Sequence, residues 1–301
     1  MDIRIECPEK WRDLELAIVG GDEREQEIAR LAVAAGAGVR VFGFPMAEGG
    51  IEGVTECSSI DQAFDAARIV LFPIPGIAVD HSIFATEKII PSAEMFAAMS
   101  DDSHIILGKA DENLENAARA KNIQLHEYEH DQELMLLRAP AIVEGALQIA
   151  IDMTRVTIHN AEICVVGQGN IGTVLTRSLV ALGARVTVAA RSAVQRAAAY
   201  TIGADSISTT DLLEHAANFD MVLSTVPAPL INREVIDQLP AHALVMDLSA
   251  PPGGCDLDYA ERTGRAAVWA RALGRRAPIT VGRSQWFGIS KIINDILKAG
   301  S

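Results

Sequence analysis

Three glycines spaced two and three residues apart close the run Ala161-Glu162-Ile163-Cys164-Val165-Val166-Gly167-Gln168-Gly169-Asn170-Ile171-Gly172, and they suit it to holding a charged ligand. Gly167 permits a tight turn, Gly169 lets a diphosphate approach the backbone, and Gly172 lets the following helix pack closely on the strand. The start of that helix adds N–H groups and the positive end of its dipole. Glycines also gather wherever a turn merely needs positive φ, so the setting decides. Here an apolar strand precedes the turn, a helix over 173–182 follows, Gly183 ends it, and a second strand occupies 185–190. That is a complete βαβ unit, and it predicts dinucleotide binding.

The second strand runs into Ala189-Ala190-Arg191-Ser192, about where the fingerprint places an acid for a ribose 2′-hydroxyl. No acid stands there. An acid would repel a 2′-phosphate, whereas Arg191 pairs with one and lays its planar guanidinium on the adenine, and the Ser192 hydroxyl adds a donor. The expected cofactor is NADP, with Gly167, Gln168, Gly169, Asn170, Ile171, Gly172, Arg191 and Ser192 as contacts. An ordinary solvated arginine at a strand end is the competing reading. Thr225, Val226 and Pro227 close a later strand and are expected to line the path from adenosine to nicotinamide. Asp247-Leu248-Ser249 closes the next one and is expected beside the nicotinamide, with Ser249 a cofactor contact and Asp247 either catalytic or only the cap of a turn.

Strands and helices must hold these turns in place. A strand at 14–19, then Gly20-Gly21-Asp22, a helix over 23–35 and a strand at 38–42 begin another βαβ unit. Strand-like runs at 69–72, 105–107 and 123–125 follow, separated by helical patterns such as 111–120. Past the glycine-rich turn come strands at 221–224, 243–247 and 266–269. Pro140 suits the first turn of a linker helix over 141–154, and a final helix within 284–299 is expected to return to the first domain. The predicted fold class is α/β, with two Rossmann-like doubly wound parallel-sheet domains, 1–139 and 140–283, flanking a cleft and joined by a long linker helix.

With 26 Lys and Arg against 40 Asp and Glu, the net charge of −14 opposes wholesale nucleic-acid binding. No stretch reads as the roughly 20 apolar residues of a membrane span, and no basic-then-apolar leader opens the chain, so no membrane association and a cytoplasmic location are expected. Cys7, Cys57, Cys164 and Cys255 include no C-x-x-C pair, which supports neither a disulfide framework nor a zinc ribbon. His126-Glu127-Tyr128-Glu129-His130 matches H-E-x-x-H but follows a strand directly and no third ligand is evident, so no metal site is expected. A homo-oligomer is the commoner state of such enzymes.

The chain resembles the A-subunit family of dipicolinate synthase over most of its length. The resemblance is carried by Ile18-Val19-Gly20-Gly21-Asp22 with Arg24, Pro140-Ala141-Ile142-Val143-Glu144-Gly145, the glycine-rich turn, Ala190-Arg191-Ser192, Ser224-Thr225-Val226-Pro227, and Asp247-Leu248-Ser249 with Pro252-Gly253-Gly254. It implies a nicotinamide-dependent oxidoreductase that turns dihydrodipicolinate into dipicolinate, acting on a small-molecule dicarboxylate and working with a second, flavoprotein-like subunit. One stretch departs from the family: an Ala-Pro-Lys-Thr-like element reads Ala277-Pro278-Ile279-Thr280 here, so Ile279 stands where the lysine would be. A dehydrogenase for a different small carboxylate and a non-catalytic NADP-binding scaffold subunit are the competing readings.

Such a substrate brings two negative charges and must lose a hydride and a proton. The nominated anion site is Arg24 with the N–H groups of Gly20, Gly21 and Asp22 at the first helix start, against the reading that Asp22 only caps the helix and Arg24 faces solvent. Glu144 and Asp247 are the nominated catalytic groups, Glu144 as base or orienting residue on the linker helix against the reading that it is an exposed first-turn glutamate.

Overall fold

Continuous apolar runs bounded by glycine and polar turns become the strands of two parallel sheets in a computed structural model that describes residues 9–46, 48–129 and 131–299. The chain divides into two units, residues 1–138 with 277–301, and residues 139–276. In the first, β1 (Glu15–Val19), β2 (Gly38–Phe42), β3 (Val54–Glu56), β4 (Ile69–Leu71), β5 (His104–Leu107) and β6 (Gln124–Glu127) lie in the order β3-β2-β1-β4-β5-β6. In the second, β7 (Glu162–Val166), β8 (Arg185–Ala189), β9 (Asp205–Ile207), β10 (Met221–Ser224), β11 (Leu244–Asp247) and β12 (Ala266–Trp269) lie in the order β12-β11-β10-β7-β8-β9. The expected fold class is thus the observed one. Each order reverses direction beside its first strand, β1 or β7, and both glycine turns leave the sheet at that switch point, where loops diverge and ligands bind in such sheets.

Helices cover both faces of each sheet, which is why the central strands β4, β7, β10 and β11 are buried along most of their length. The first unit carries α1 (Glu23–Ala34), α2 (Ile60–Phe64) and α3 (Glu112–Ala120), and the second carries α5 (Asn170–Ala181), α6 (Ala193–Thr201), α7 (Leu212–His215), α8 (Arg233–Gln238) and α9 (Leu257–Arg262). The core between α1 and its sheet holds Leu16, Ile18, Ile28 and Val39, and the opposite face of the same sheet holds Val70, Phe64, Phe96 and Ile105.

Two long helices depart from expectation. α4 (Gln132–Met153) begins nine residues before the predicted start, so Pro140 lies inside it rather than in its first turn. Asp131 starts it, its carboxylate accepting from the N–H groups of Glu133 (2.8 Å) and Leu134 (3.1 Å). Pro140 withholds only the N–H that would bond the Leu136 carbonyl, one lost bond in a 22-residue helix. α4 holds an 18-residue window of mean hydropathy 1.6, so it is long and apolar enough by length and composition to cross a membrane, which corrects the expectation that no stretch is. Its Val143, Ala146 and Ala150 nonetheless pack into the core of the second unit.

The last helix, α10 (Pro278–Ala299), starts with proline at a position where the fixed φ favours a helix start, and it runs through Gly282. Gly282 weakens the helical pattern in the sequence, and packing explains its presence. A Cβ there would lie 2.7 Å from the Arg24 carbonyl oxygen and 2.9 Å from the Glu27 Cβ, so α10 approaches α1 as closely as backbones allow. Farther along, Trp286 meets Trp11 edge to face at 5.4 Å, and the Trp11 indole N–H donates to Asn294. The short edge strands β3 and β9 were not predicted, because three half-exposed residues carry no readable alternation. Cys7 and His130 lie outside the described residues. The Gly282→Ala variant is expected to lower stability by about 1–3 kcal/mol through overpacking, seen as a lower urea midpoint; an unchanged midpoint would mean the helices separate freely.

Candidate functional site

In the second unit the glycine-rich turn follows β7 directly. The Gly167 N–H donates to the Ala189 carbonyl at 2.9 Å, with φ of +98° at Gly167. A Cβ on Gly172 would stand 2.1 Å from the Gly167 carbonyl oxygen, so the helix rests on the turn at a distance only glycine tolerates. Above Gly169 the space is open. α5 begins there with Gly169 as its cap residue, and no side chain caps it. By contrast, α1 and α3 have Asp22 and Asp111 carboxylates over their first amides. An amino end capped by a glycine, with 12 residues of dipole behind it and open space above Gly169, fits a diphosphate.

The remaining nominated contacts divide by exposure. Gln168 is buried, its side-chain oxygen accepting from the Thr176 hydroxyl at 3.1 Å, so its side chain faces the core and only its backbone faces the turn. Asn170 and Ile171 are half-buried in the first turn of α5. Arg191 and Ser192 follow β8 and are exposed, and the Ser192 hydroxyl does not cap α6. Arg196 was missed in the sequence. From α6 it folds back to donate to the carbonyls of Ala190 (2.8 Å) and Arg191 (2.9 Å), which puts a second guanidinium beside Arg191. Its signal was a second arginine within the first turns of the helix that Arg191 introduces.

Thr225 and Val226 press on the turn: the Thr225 hydroxyl donates to the Val166 carbonyl at 3.0 Å, and Val226 Cγ2 would touch any side chain at Gly167. Pro227 is exposed beside them. Asp247 is only 1% exposed. Its Oδ1 accepts from the Ser249 N–H (2.8 Å) and hydroxyl (2.6 Å), and its Oδ2 from the N–H groups of Gly254 (2.6 Å) and Cys255 (3.2 Å). Four donors organise it as the anchor of the 248–255 loop, which corrects its nomination as a catalytic group. Ser249 is consumed in the same anchor. Burial and the Asp247 charge push the Cys255 thiol far above its usual range, so it stays protonated.

Glu144 also changes role. It is exposed on α4 in an ion pair with Arg276, so solvent and a surface arginine surround it, and nothing in that setting makes it a base for a reacting group. In the basic loop after β12, Arg271 stacks over Trp269 at 5.2 Å.

In the first unit the nominated amides are already engaged. The N–H of Gly20 donates to Phe42 O (2.8 Å), that of Gly21 to Phe84 O (2.6 Å), and that of Asp22 to Glu25 Oε2 (2.7 Å). The helix start therefore offers no open anion cradle, and the part of the nomination that rested on these three amides is corrected. Asp22 does cap α1, yet Arg24 does not face solvent. It is 7% exposed, with Nε and Nη2 donating to the two Asp22 oxygens at 2.7 and 3.0 Å. Burial pulls the Arg24 pKa down, and its bond to Asp22 and the field of Glu25 more than offset this.

Around Arg24 lies a buried charged cluster that the sequence reading overlooked. Glu25 completes a capping box with Asp22, and burial raises its pKa to about 7 against the opposing pull of Arg24. Tyr128, just after β6, is buried, and burial with the Glu25 field holds its phenol well above the usual range. Burial holds Arg138 below its usual value, and its Nε has no partner among the described residues. Asp-x-x-Glu before an apolar run is the signal that would have found Glu25. His126 and Glu127 lie on a strand, not a helix. His126 Nε2 is 3.0 Å from His104 Nδ1, on the first residue of β5, far from the carboxyl ends where the glycine turns sit.

Comparison with known proteins gives consistent similarities. The family model of the dipicolinate synthase A-subunit N-terminal domain matches residues 15–129, and that of shikimate/quinate 5-dehydrogenase matches residues 148–255. The chain is 31% identical to the dipicolinate synthase A-subunit of Bacillus subtilis (strain 168) over 288 residues, 94% of this chain and 97% of that protein. The crystal structure of the dipicolinate synthase A-subunit from Bacillus halodurans matches with a TM-score of 0.86 at 28% identity, covering 93% of this chain and 97% of that one. The one from Bacillus subtilis matches with a TM-score of 0.84 at 28% identity, covering 95% and 98%.

If Asp247 anchors its loop, Asp247→Asn turns an amide N–H toward donors that need an acceptor, and stability is expected to fall by about 2–4 kcal/mol. Chemical denaturation checks this. A fully stable variant that loses only turnover would return Asp247 to the chemistry.

Proposed function

Because this chain belongs to the A-subunit family of dipicolinate synthase and has a dehydrogenase-type fold, we propose that it oxidises dihydrodipicolinate, or a related cyclic imino dicarboxylate, with NADP+. The observation that carries this reading is the α5 amino end, left without a side-chain cap at a switch point and followed, one strand later, by two arginines and no acid. A nicotinamide supplies the electron-pair acceptor for the hydride. The balance is dihydrodipicolinate plus NADP+ giving dipicolinate, NADPH and one proton, and the aromatic ring formed favours the products.

The chain's own residues bind and orient. The amides of the 167–172 turn hold the diphosphate, and the Arg191 guanidinium with the Ser192 hydroxyl holds the 2′-phosphate, an anion that the NAD-type acid would have repelled. Arg196 fixes the strand end that carries Arg191. Thr225, Val226 and Pro227 shape the turn along which the cofactor runs. In the first unit Arg24 receives a substrate carboxylate. Asp22 occupies two of the five guanidinium N–H groups and so sets the direction of the rest. Its relatives are named as one component of a multi-chain enzyme, which supports a second subunit, flavoprotein-like in this reading. A homo-oligomer and a cytoplasmic setting complete the proposal.

Mixing the protein with freshly generated dihydrodipicolinate and NADP+ is expected to raise absorbance at the reduced-nicotinamide band; intact cofactor binding without that gain would favour a scaffold role. Arg191→Asp is expected to weaken NADP+ by about 1.5–3 kcal/mol more than NAD+ in calorimetric titration. Equal losses for the two would remove Arg191 from the phosphate. Arg24→Ala is expected to raise KM for the dicarboxylate and leave cofactor affinity unchanged; unaltered kinetics would remove Arg24 from the substrate.

A further inference from the structure

Resting on the reading that Arg24 receives a substrate carboxylate, we propose that Glu25 is a positioning residue whose proton controls that reception. With the Glu25 carboxyl protonated, Arg24 holds the substrate carboxylate. Once it is ionised, Glu25 adds a second negative charge beside the Asp22–Arg24 pair.

The geometry supplies the argument. The Glu25 side chain lies folded over Gly21, so that a Cβ on Gly21 would come within 2.4 Å of its Cγ, Cδ and Oε2, and the residue is only 2% exposed. One of its oxygens is fixed by the Asp22 N–H at 2.7 Å, and the Asp22 carboxylate holds Arg24 in turn. Three ionisable groups thus share a dry space in which Arg24 is the cation. With Glu25 neutral, the Asp22–Arg24–Glu25 set carries no net charge. With Glu25 ionised it carries −1, and a substrate carboxylate would be the third anion on one guanidinium. At low effective dielectric that repulsion is large.

The other charged neighbours leave this balance in place. Tyr128 stays neutral, and the charge of Arg138 is answered first by Glu129, while Tyr128 and Arg24 also feel it. On α10, which packs on α1, Arg283 is bonded to Glu27 at 2.8 Å, and Arg30 lies 3.7 Å from the same carboxylate. Lys291 pairs with Glu133. Burial brings Glu25 to about 7, so near neutral pH it is poised between its two forms. An anion arriving at Arg24 raises that value further, and binding must therefore take up a proton.

A capping box alone would be served as well by glutamine, whose side-chain oxygen accepts from the Asp22 N–H but never ionises. The test is binding of dipicolinate, ionised throughout, to the full chain with bound NADP+ from about pH 6 to 9. For the wild type, affinity is expected to fall by roughly tenfold per pH unit above the Glu25 midpoint, with proton uptake seen as a buffer-dependent heat in calorimetry. For Glu25→Gln, affinity is expected to stay near its low-pH value across the range. A flat wild-type profile, or a slope that persists in Glu25→Gln, overturns the proposal. If Glu25→Gln does not fold, a 13C NMR titration of the wild-type glutamate carboxyls decides, and the absence of a buried carboxyl titrating near neutrality overturns it. Arg24→Ala separates the two failures: if it binds dipicolinate as the wild type does, the Arg24 reading itself falls, whatever Glu25 does.

Discussion

The chemistry of this molecule depends on what covers the amino end of a helix at a sheet's switch point. The chain builds the same device twice, with β1 leading to Gly20-Gly21 and α1, and β7 leading to Gly167–Gly172 and α5. Over α5 there is a glycine and open space. Over α1 there are an aspartate, its reciprocal glutamate and an arginine. A helix dipole attracts an external anion only while no side chain has already answered it. The first form leaves backbone amides for a diphosphate, whereas the second replaces them with a side-chain cation that Asp22 aims.

Keeping those charges dry carries a cost. A buried pair such as Asp22–Arg24 recovers its desolvation only with good geometry, and it is better explained by specificity than by stability. The geometry here is forked, with two N–H···O contacts of 2.7 and 3.0 Å. Hydrophobic packing elsewhere holds the pair in place. α10 reaches the Arg24 backbone through Gly282, and Trp286, Trp11, Ile289 and Ile293 form an apolar layer along the same interface. A change at Gly282 would therefore act on Arg24 through the backbone, without altering any charged group.

What the sequence made legible follows from how local each signal is. Gly167, Gly169 and Gly172 announce themselves because each fills a steric requirement met within a few residues, and the fold class follows from strands buried on both faces. Pro140 misled because its effect on a helix depends on length: at the start of a short helix it is favourable, and inside a 22-residue one it removes a single bond. Asp247 was half legible. The residue type and strand-end position were right for chemistry, but its four donors come from residues up to eight positions away and fix it as an anchor. Arg196 and Glu25 escaped because their side chains turn back on preceding backbone, a direction that composition does not encode.

These corrections narrow where the proton of a dehydrogenation is handled. A group that manages a proton must be able to hold it in one state and release it in another near working pH. Asp247 is engaged by four donors as the anchor of its loop. Glu144 sits in solvent beside Arg276. At Glu25, burial outweighs the opposing pull of Arg24 and raises the carboxyl to about 7. Its side chain folds over Gly21 and is joined through Asp22 to Arg24, so its proton sets the charge around that guanidinium.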